Sequence, residues 1–210
     1  MRQIILAILT PLACYFSGVH PNTLTFLSLI TGILAGGAYW LTHHGHAFYW
    51  AGGILVALSG IFDSLDGIVA REYERTTNMG DFLDHLCDRL VDVFILIGLA
   101  FSPQADSTLG LLVVLVALFN GYFGTQIEAS FGKRYYGGAG KPELFIGIIG
   151  FSFFLAIFPE VFLRIAGRSV YFINLFFIVL GFATLISLVH RFRYAYKLCS
   201  STREQEGPWT

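Results

Sequence analysis

Apolar residues run on in this chain rather than alternating with polar ones, and the runs are about as long as a bilayer is thick. "TLTFLSLITGILAGGAYWLT" at residues 23–42 and "VYFINLFFIVLGFATLISLVH" at 170–190 contain no Asp, Glu, Lys or Arg. A helix needs ~20 predominantly apolar residues to cross the hydrocarbon core. A membrane strand would instead show a two-residue alternation. Only 13% of the residues are charged, about half the share of an ordinary soluble domain. The expected fold is an all-α integral membrane protein without strands. Six transmembrane helices are read at residues 23–42, 48–71, 80–101, 108–131, 142–158 and 170–190.

The first twenty residues, "MRQIILAILTPLACYFSGVH", are apolar but interrupted by Pro11. They read as a short N-terminal helix at the membrane surface. Asn22 or Thr23 is suited to cap the first span. Residues 1–200 are expected to form a single membrane domain, and 201–210 a frayed polar tail, with no soluble domain on either side. The three cysteines, Cys14, Cys87 and Cys199, lack metal-type spacing and read as free thiols. His43, His44 and His46 fall between spans and read as a solvated loop. Tyr39, Trp40, Tyr49 and Trp50 suit an interfacial belt. A net charge of -1 gives no sign of nucleic-acid binding.

Basic residues set the expected orientation. Arg71 and Arg75, then Lys133, Arg134 and Lys141, then Arg191, Arg193 and Lys197 fall on one side of the six-span reading. Arg164 and Arg168 are the exceptions. The majority puts both termini on the cytoplasmic side of a cell membrane.

Against this apolar background, "FDSLDGIVAREYERTTNMGDFLDHLCDR" at residues 62–89 carries five aspartates. Asp63 and Asp66 are three apart and share a helix face, as do Asp84 and Asp88, four apart. The loop between them lets two antiparallel helices bring both pairs together at their cytoplasmic ends. A lone ionised group at membrane depth costs about 2.5–3.5 kcal/mol on insertion scales. Four carboxylates need compensation that Arg71 and Arg89 cannot supply. Two divalent cations would balance them, and an all-oxygen donor set suits Mg²⁺ or Mn²⁺. Two such metals clamp an in-line displacement at phosphorus. Gly67 lets a ligand approach the backbone or lets helices pack closely, and Arg71 can grip a phosphate or anchor the positive side.

The spacing Asp63-x2-Asp66-Gly67-x2-Ala70-Arg71-x8-Gly80-x3-Asp84-x3-Asp88 resembles the signature of the CDP-alcohol phosphotransferase (CDP-alcohol phosphatidyltransferase) family. The "PNTLT" ahead of the first span is of the kind found there too. The resemblance implies transfer of a substituted phosphate from a CDP-linked alcohol, CDP-diacylglycerol or CDP-archaeol, to a small polar alcohol, with release of CMP in phospholipid biosynthesis. It implies Asp63, Asp66, Asp84 and Asp88 as metal ligands, with Asp88 also the general base. It implies Asn22, Thr23, Asp66, Gly67, Arg71, Thr77 and Gly80 at the CDP-alcohol, and a homodimer in the bilayer.

Asp81 is read as favouring the start of the third helix and His85 as structural. Asp92 is read as paired with a buried polar group or supporting the metal shell. The acceptor is not fixed by the signature. Asn120, Gln126, Lys133, Arg134 and Lys141 are the candidate acceptor-binding residues. "GTQIEASFGKRYYGGAGKPE" is poorer in arginine than the matching run of inositol-phosphate-using relatives. Two other readings compete: a divalent-cation transporter lined by the aspartates, and an assembly protein with a dead site. The nearly uncharged fifth and sixth spans weigh against the first, and the intact signature against the second.

Overall fold

The computed structural model describes residues 9–133, 141–159, 162–165 and 168–206. Six long helices carry the fold: α1 Pro21–Trp40, α2 Ala47–Glu72, α3 Asn78–Ala100, α4 Ser107–Phe131, α5 Lys141–Ile157 and α6 Phe172–Glu206. Among the described residues, four helical segments are long and apolar enough to cross a membrane: Pro21–His44, Ala47–Glu72, Ser107–Phe131 and Phe172–Ser200. The other two of the expected six are helices of a different character. α3 carries Asp81, Asp84, Asp88, Arg89 and Asp92, and α5 is only 17 residues long.

The helix ends follow local chemistry. α1 begins with Pro21 at its first position, where the missing N–H costs nothing. Its cap is His20, whose Nδ1 accepts from the Asn22 N–H at 3.3 Å, so neither Asn22 nor Thr23 fills that role. The Thr77 hydroxyl caps α3 by accepting from Gly80 N–H at 3.0 Å. The Asp106 carboxylate caps α4 by accepting from Thr108 and Leu109. α4 stops at Gly132, whose φ of 63° is the left-handed conformation that glycine adopts without penalty.

Other expectations change, among them the interfacial belt, since Tyr39 and Tyr49 are buried in the core while Trp40 and Trp50 are exposed. Strands were not expected, yet Phe162–Ile165 (β1) and Arg168–Tyr171 (β2) form an antiparallel hairpin between α5 and α6. Each strand is only four residues long, too short for an alternating pattern to register beside the long helical runs. The sixth helix starts at Phe172 and continues to Glu206, past the end of the span read at 170–190. The His43–His44 segment keeps its reading as a solvated connection, since His43, His44 and His46 are exposed, and it takes the form of a 3-10 turn, Leu41–His44, with His43 Nε2–H donating to the Phe101 carbonyl at 2.7 Å. Of the N-terminal segment, residues 9–13 are helical and Cys14–Phe16 form a 3-10 turn. Ala13 packs there with Leu24, Leu65, Ile68 and Val69.

α1 is central, lying against both α2 and α3, while α2 meets α5 and α4 meets α6. Close approach of α1 and α3 depends on two glycines. A Cβ on Gly36 would lie 2.3 Å from the Phe94 carbonyl oxygen, and one on Gly98 would lie 2.2 Å from the Gly36 carbonyl oxygen. Small residues at such crossings let membrane helices gain dispersion contact, because lipid offers no hydrophobic drive for helix association. Tyr39, Ile95, Leu99, Ile148 and Phe177 fill the main core around this crossing.

Buried polar groups lock helix rotation. The Tyr39 hydroxyl and Ser152 Oγ lie 2.6 Å apart, joining α1 to α5, and Ser152 Oγ donates to the Ile148 carbonyl. Tyr39→Phe should therefore cost only about 1 kcal/mol, because Ser152 keeps a partner. That corresponds to a melting decrease of roughly 2–4 °C in detergent. A fall several times larger would show that the hydroxyl does more than bridge these helices. Ser28 and Ser59 bond each other's carbonyls reciprocally, at 3.0 and 2.9 Å, which fixes the register of α1 on α2.

Candidate active site

That register brings the start of α1 against the aspartate end of α2. Thr25 Oγ1 donates to Asp66 Oδ2 at 2.6 Å, and both residues are buried. Thr25 is a site neighbour that sequence reasoning missed. The two residues are 41 positions apart, and Thr25 looks like any other small residue of an apolar span.

Asp63 on α2 and Asp84 and Asp88 on α3 converge, each offering a carboxylate oxygen within 4.8 Å of the others. The two helices run antiparallel from the 73–77 connection, so their i,i+3 and i,i+4 faces meet as the spacing predicts. Asp66 lies one turn along α2, held by Thr25. Like charges gathered at this depth need a counter-charge, and α5 brings one. Lys141 Nζ donates to Asp63 Oδ1 at 2.6 Å and also to Asp88 Oδ1. Lys141, an expected acceptor-binding residue, has its ammonium tied into the aspartate cluster, and its side chain also lines the adjoining cavity.

Asp88 is shared further, with Arg89 Nη2 3.7 Å from its Oδ2. Arg89 Nη1 donates to Asp92 Oδ2 at 3.4 Å, so Asp92 has a cationic partner. Asp81 sits in the first turn of α3, where a negative charge favours the helix end, and its Oδ2 is 3.8 Å from His85 Nε2.

At the mouth of α2 and α3, glycines make room for polar atoms. A Cβ on Gly80 would lie 3.0 Å from Thr77 Oγ1 and 3.4 Å from Asn22 Oδ1. Asn22, Thr77 and Gly80 therefore meet at one point, although they come from two helix starts. A Cβ on Gly67 would stand 3.3 Å from both terminal nitrogens of Arg71, so the guanidinium folds over that bare backbone. Thr23 is exposed on α1.

Beside the cluster lies a cavity of about 380 Å³ between α3, α4, α5 and α6. Asp88, Arg89, Asn120, Lys141, Ser187 and Arg191 are in its wall. Of the candidate acceptor-binding residues, Asn120 and Lys141 line it. Gln126 faces elsewhere, with Nε2 donating to Ser130 Oγ at 3.2 Å, and Lys133 is exposed beyond the end of α4. Arg134 lies outside the described residues. Arg191 is a wall residue from α6 that the sequence marks only as one of several basic residues near the C-terminus.

A protein-family model described as CDP-alcohol phosphatidyltransferase matches residues 18–189. The archaetidylinositol phosphate synthase of Pyrococcus horikoshii is 31% identical over 147 residues, covering 70% of this chain and 76% of that protein. The phosphatidylinositol phosphate synthase of Mycobacteroides abscessus is 32% identical over 162 residues, covering 73% of this chain and 71% of that one. The crystal structure of Mycobacterium tuberculosis phosphatidylinositol phosphate synthase with CDP-DAG bound is similar, with a TM-score of 0.70 and 26% identity over 90% of this chain and 94% of that chain. The same enzyme in complex with manganese and citrate also gives a TM-score of 0.70, at 26% identity over 89% of this chain and 88% of that chain.

Proposed function

This chain belongs to the CDP-alcohol phosphatidyltransferase family, and from that premise we propose a site-by-site account of how it works. It is a multi-pass membrane enzyme of phospholipid synthesis that takes a CDP-alcohol as donor. The donor in this reading is CDP-diacylglycerol or CDP-archaeol, with its tails in the bilayer. Its nucleotide end sits near Asn22, Thr23, Thr77 and Gly80, and its phosphates near Asp66, Gly67 and Arg71. Support comes from the convergence of Asn22 Oδ1 and Thr77 Oγ1 over Gly80.

Asp63, Asp66, Asp84 and Asp88 would hold two divalent cations, Mg²⁺ or Mn²⁺. The fit rests on the donor set: three carboxylates offer oxygens within 4.8 Å of one another, and a cationic ammonium already binds two of them. When bound, such ions neutralise the pyrophosphate and the departing CMP. The chain's own groups do the rest. An acceptor hydroxyl in the cavity gives its proton to the Asp88 carboxylate. Its oxygen bonds to the lipid-bearing phosphorus as the bond from that phosphorus to the CMP oxygen breaks. CMP leaves with the electron pair. Asn120 and Lys141 line the acceptor side, together with Arg191. The observation that carries this reading is that Asp88 belongs both to the carboxylate cluster and to the cavity wall.

In this reading all six helices span, the active site and both termini face the cytoplasm, and the protein works as a homodimer. The distribution of Arg71, Arg75, Lys133 and Lys197 supports the sidedness.

The test is CMP release by purified protein from CDP-diacylglycerol and CDP-archaeol, with and without chelator. A panel of polar alcohols serves as acceptors, and products are identified by mass spectrometry. Inositol phosphate heads the panel because the relatives above are named for it. Transfer that chelation stops is expected. Transport of Mn²⁺ into liposomes with no CMP released under any acceptor would favour the transporter reading instead.

Thr25→Val tests the support of Asp66. It keeps the shape of the side chain and removes the hydroxyl bond. Partners that orient metal ligands are typically worth 10–100-fold in affinity or activity. We expect Mn²⁺ affinity to fall by about ten-fold, measured by titration on the purified protein. Unchanged affinity would place Asp66 outside the metal site.

A further inference from the structure

We propose that Gly121 and Gly124 are positioning residues of the acceptor cavity. The bare backbone they leave on α4 is the shelf on which the guanidiniums of Arg89 and Arg191 lie, and this seat fixes where an acceptor's anionic group docks. The inference rests on the cavity being the acceptor site.

The two glycines are three apart on α4 and so share a face. A Cβ on Gly121 would stand 2.1 Å from Arg89 Nη1, 2.7 Å from its Cζ and 2.8 Å from its Cδ. A Cβ on Gly124 would stand 2.0 Å from Arg191 Nη1 and 3.2 Å from its Cζ. Real Cβ atoms do not come that near, so each arginine occupies space that exists only because the side chain is missing. Arg89 arrives from α3 and Arg191 from α6, and α4 is where they meet the same wall. Gly150 on α5 is different, since a Cβ there would meet nothing within 4 Å.

The cavity behind this shelf is built for a polar occupant. Ser187 is only 3% exposed, and its Oγ finds no hydrogen-bond partner among the described residues. The same holds for Asn120 Oδ1 and Asp92 Oδ1, and all three residues line the cavity. Buried polar atoms are normally paired, so these three mark positions that a ligand's hydroxyls would satisfy. A planar guanidinium set rigidly beside them suits an anionic group, because its fork of donors matches an oxyanion. Such recognition depends on placement. A methyl group on Gly124 would push the end of Arg191 off its seat without blocking the helix, because only the tip of a flexible side chain must yield. At Gly121 the collision reaches Arg89 Cδ, and Arg89 also touches Asp88 and Asp92, so substitution there disturbs the proposed base as well.

The experiment uses the full-length purified protein and isothermal titration with inositol phosphate and with free inositol as probes. Gly124→Ala is expected to weaken inositol phosphate binding by about ten-fold, the scale of one misplaced charge-assisted hydrogen bond. Free inositol should bind wild type and variant alike. In an Arg191→Lys background, Gly124→Ala should add nothing, because lysine has no Nη1 to displace. In turnover, the acceptor KM should rise while the donor KM holds. Gly150→Ala serves as the control for adding a methyl to an apolar helix, and the melting temperature of Gly124→Ala should match it. The proposal is overturned if Gly124→Ala binds as wild type does, if it loses the same factor in both backgrounds, or if the wild type does not bind inositol phosphate. Failure to release CMP with any acceptor would instead sink the transfer reaction, and the binding comparison would stand apart from it.

Discussion

Asp88→Asn should lower CMP-releasing transfer by about a thousand-fold or more while leaving a folded, monodisperse protein. Three functions meet at this carboxylate. It offers an oxygen to the cluster with Asp63 and Asp84, it accepts from Lys141, and it faces the cavity. An amide of the same shape keeps the packing but cannot take a proton at neutral pH. Loss of a positioned general base alone is worth about 10²–10⁴ in rate, and a weakened cation site adds to that. The fold survives because Lys141 retains Asp63, and Arg89 retains Asp92. The check is single-turnover CMP release, alongside size-exclusion behaviour and Mn²⁺ titration. Wild-type rates would remove Asp88 as the base. Lost Mn²⁺ binding with rates restored at saturating metal would leave it a ligand only.

Gly98→Val should be the most damaging single change to the fold. The atom a side chain would strike first is the Gly36 carbonyl oxygen, at 2.2 Å, followed by that residue's Cα at 2.7 Å. These are backbone atoms, and no rotamer change moves them. α1 would have to lift off α3, opening the core around Tyr39, Ile95 and Leu99. Overpacking of this kind costs typically 1–3 kcal/mol even where side chains can give way. With only backbone to yield, roughly 3 kcal/mol or more is expected, lowering the melting temperature by about 10 °C. Activity should fall as well, since α1 also carries Thr25, the partner of Asp66. Gly37→Val is the comparison, because a Cβ there meets nothing within 4 Å. Equal melting of the two variants would dismiss the crossing as a structural constraint.

What could be read without coordinates, and what could not, follows from the nature of apolar helices. The positions of α1 to α6 were legible because each is bounded by turn residues and filled with apolar ones. The Asp63–Asp88 constellation was legible because its members share faces of two consecutive helices, and a short loop forces those faces together. Thr25 on Asp66 and Lys141 on Asp63 were not, since they span 41 and 78 positions. Contacts of that range depend on how each helix is rotated about its axis. A helix that is greasy all round carries almost no periodic signal of that rotation. The same silence hid Arg191, which became a cavity residue only once α6 was seen against α4. The β1–β2 hairpin was missed for another reason: four-residue strands are too short for alternation to stand out.

Lys141 has a consequence for the way the bundle closes. Its ammonium is covalently part of the chain, so the fold itself supplies the acidic pair formed by Asp63 and Asp88 with a positive neighbour. The positive charge that lets α5 close over these carboxylates is therefore written into the polypeptide itself.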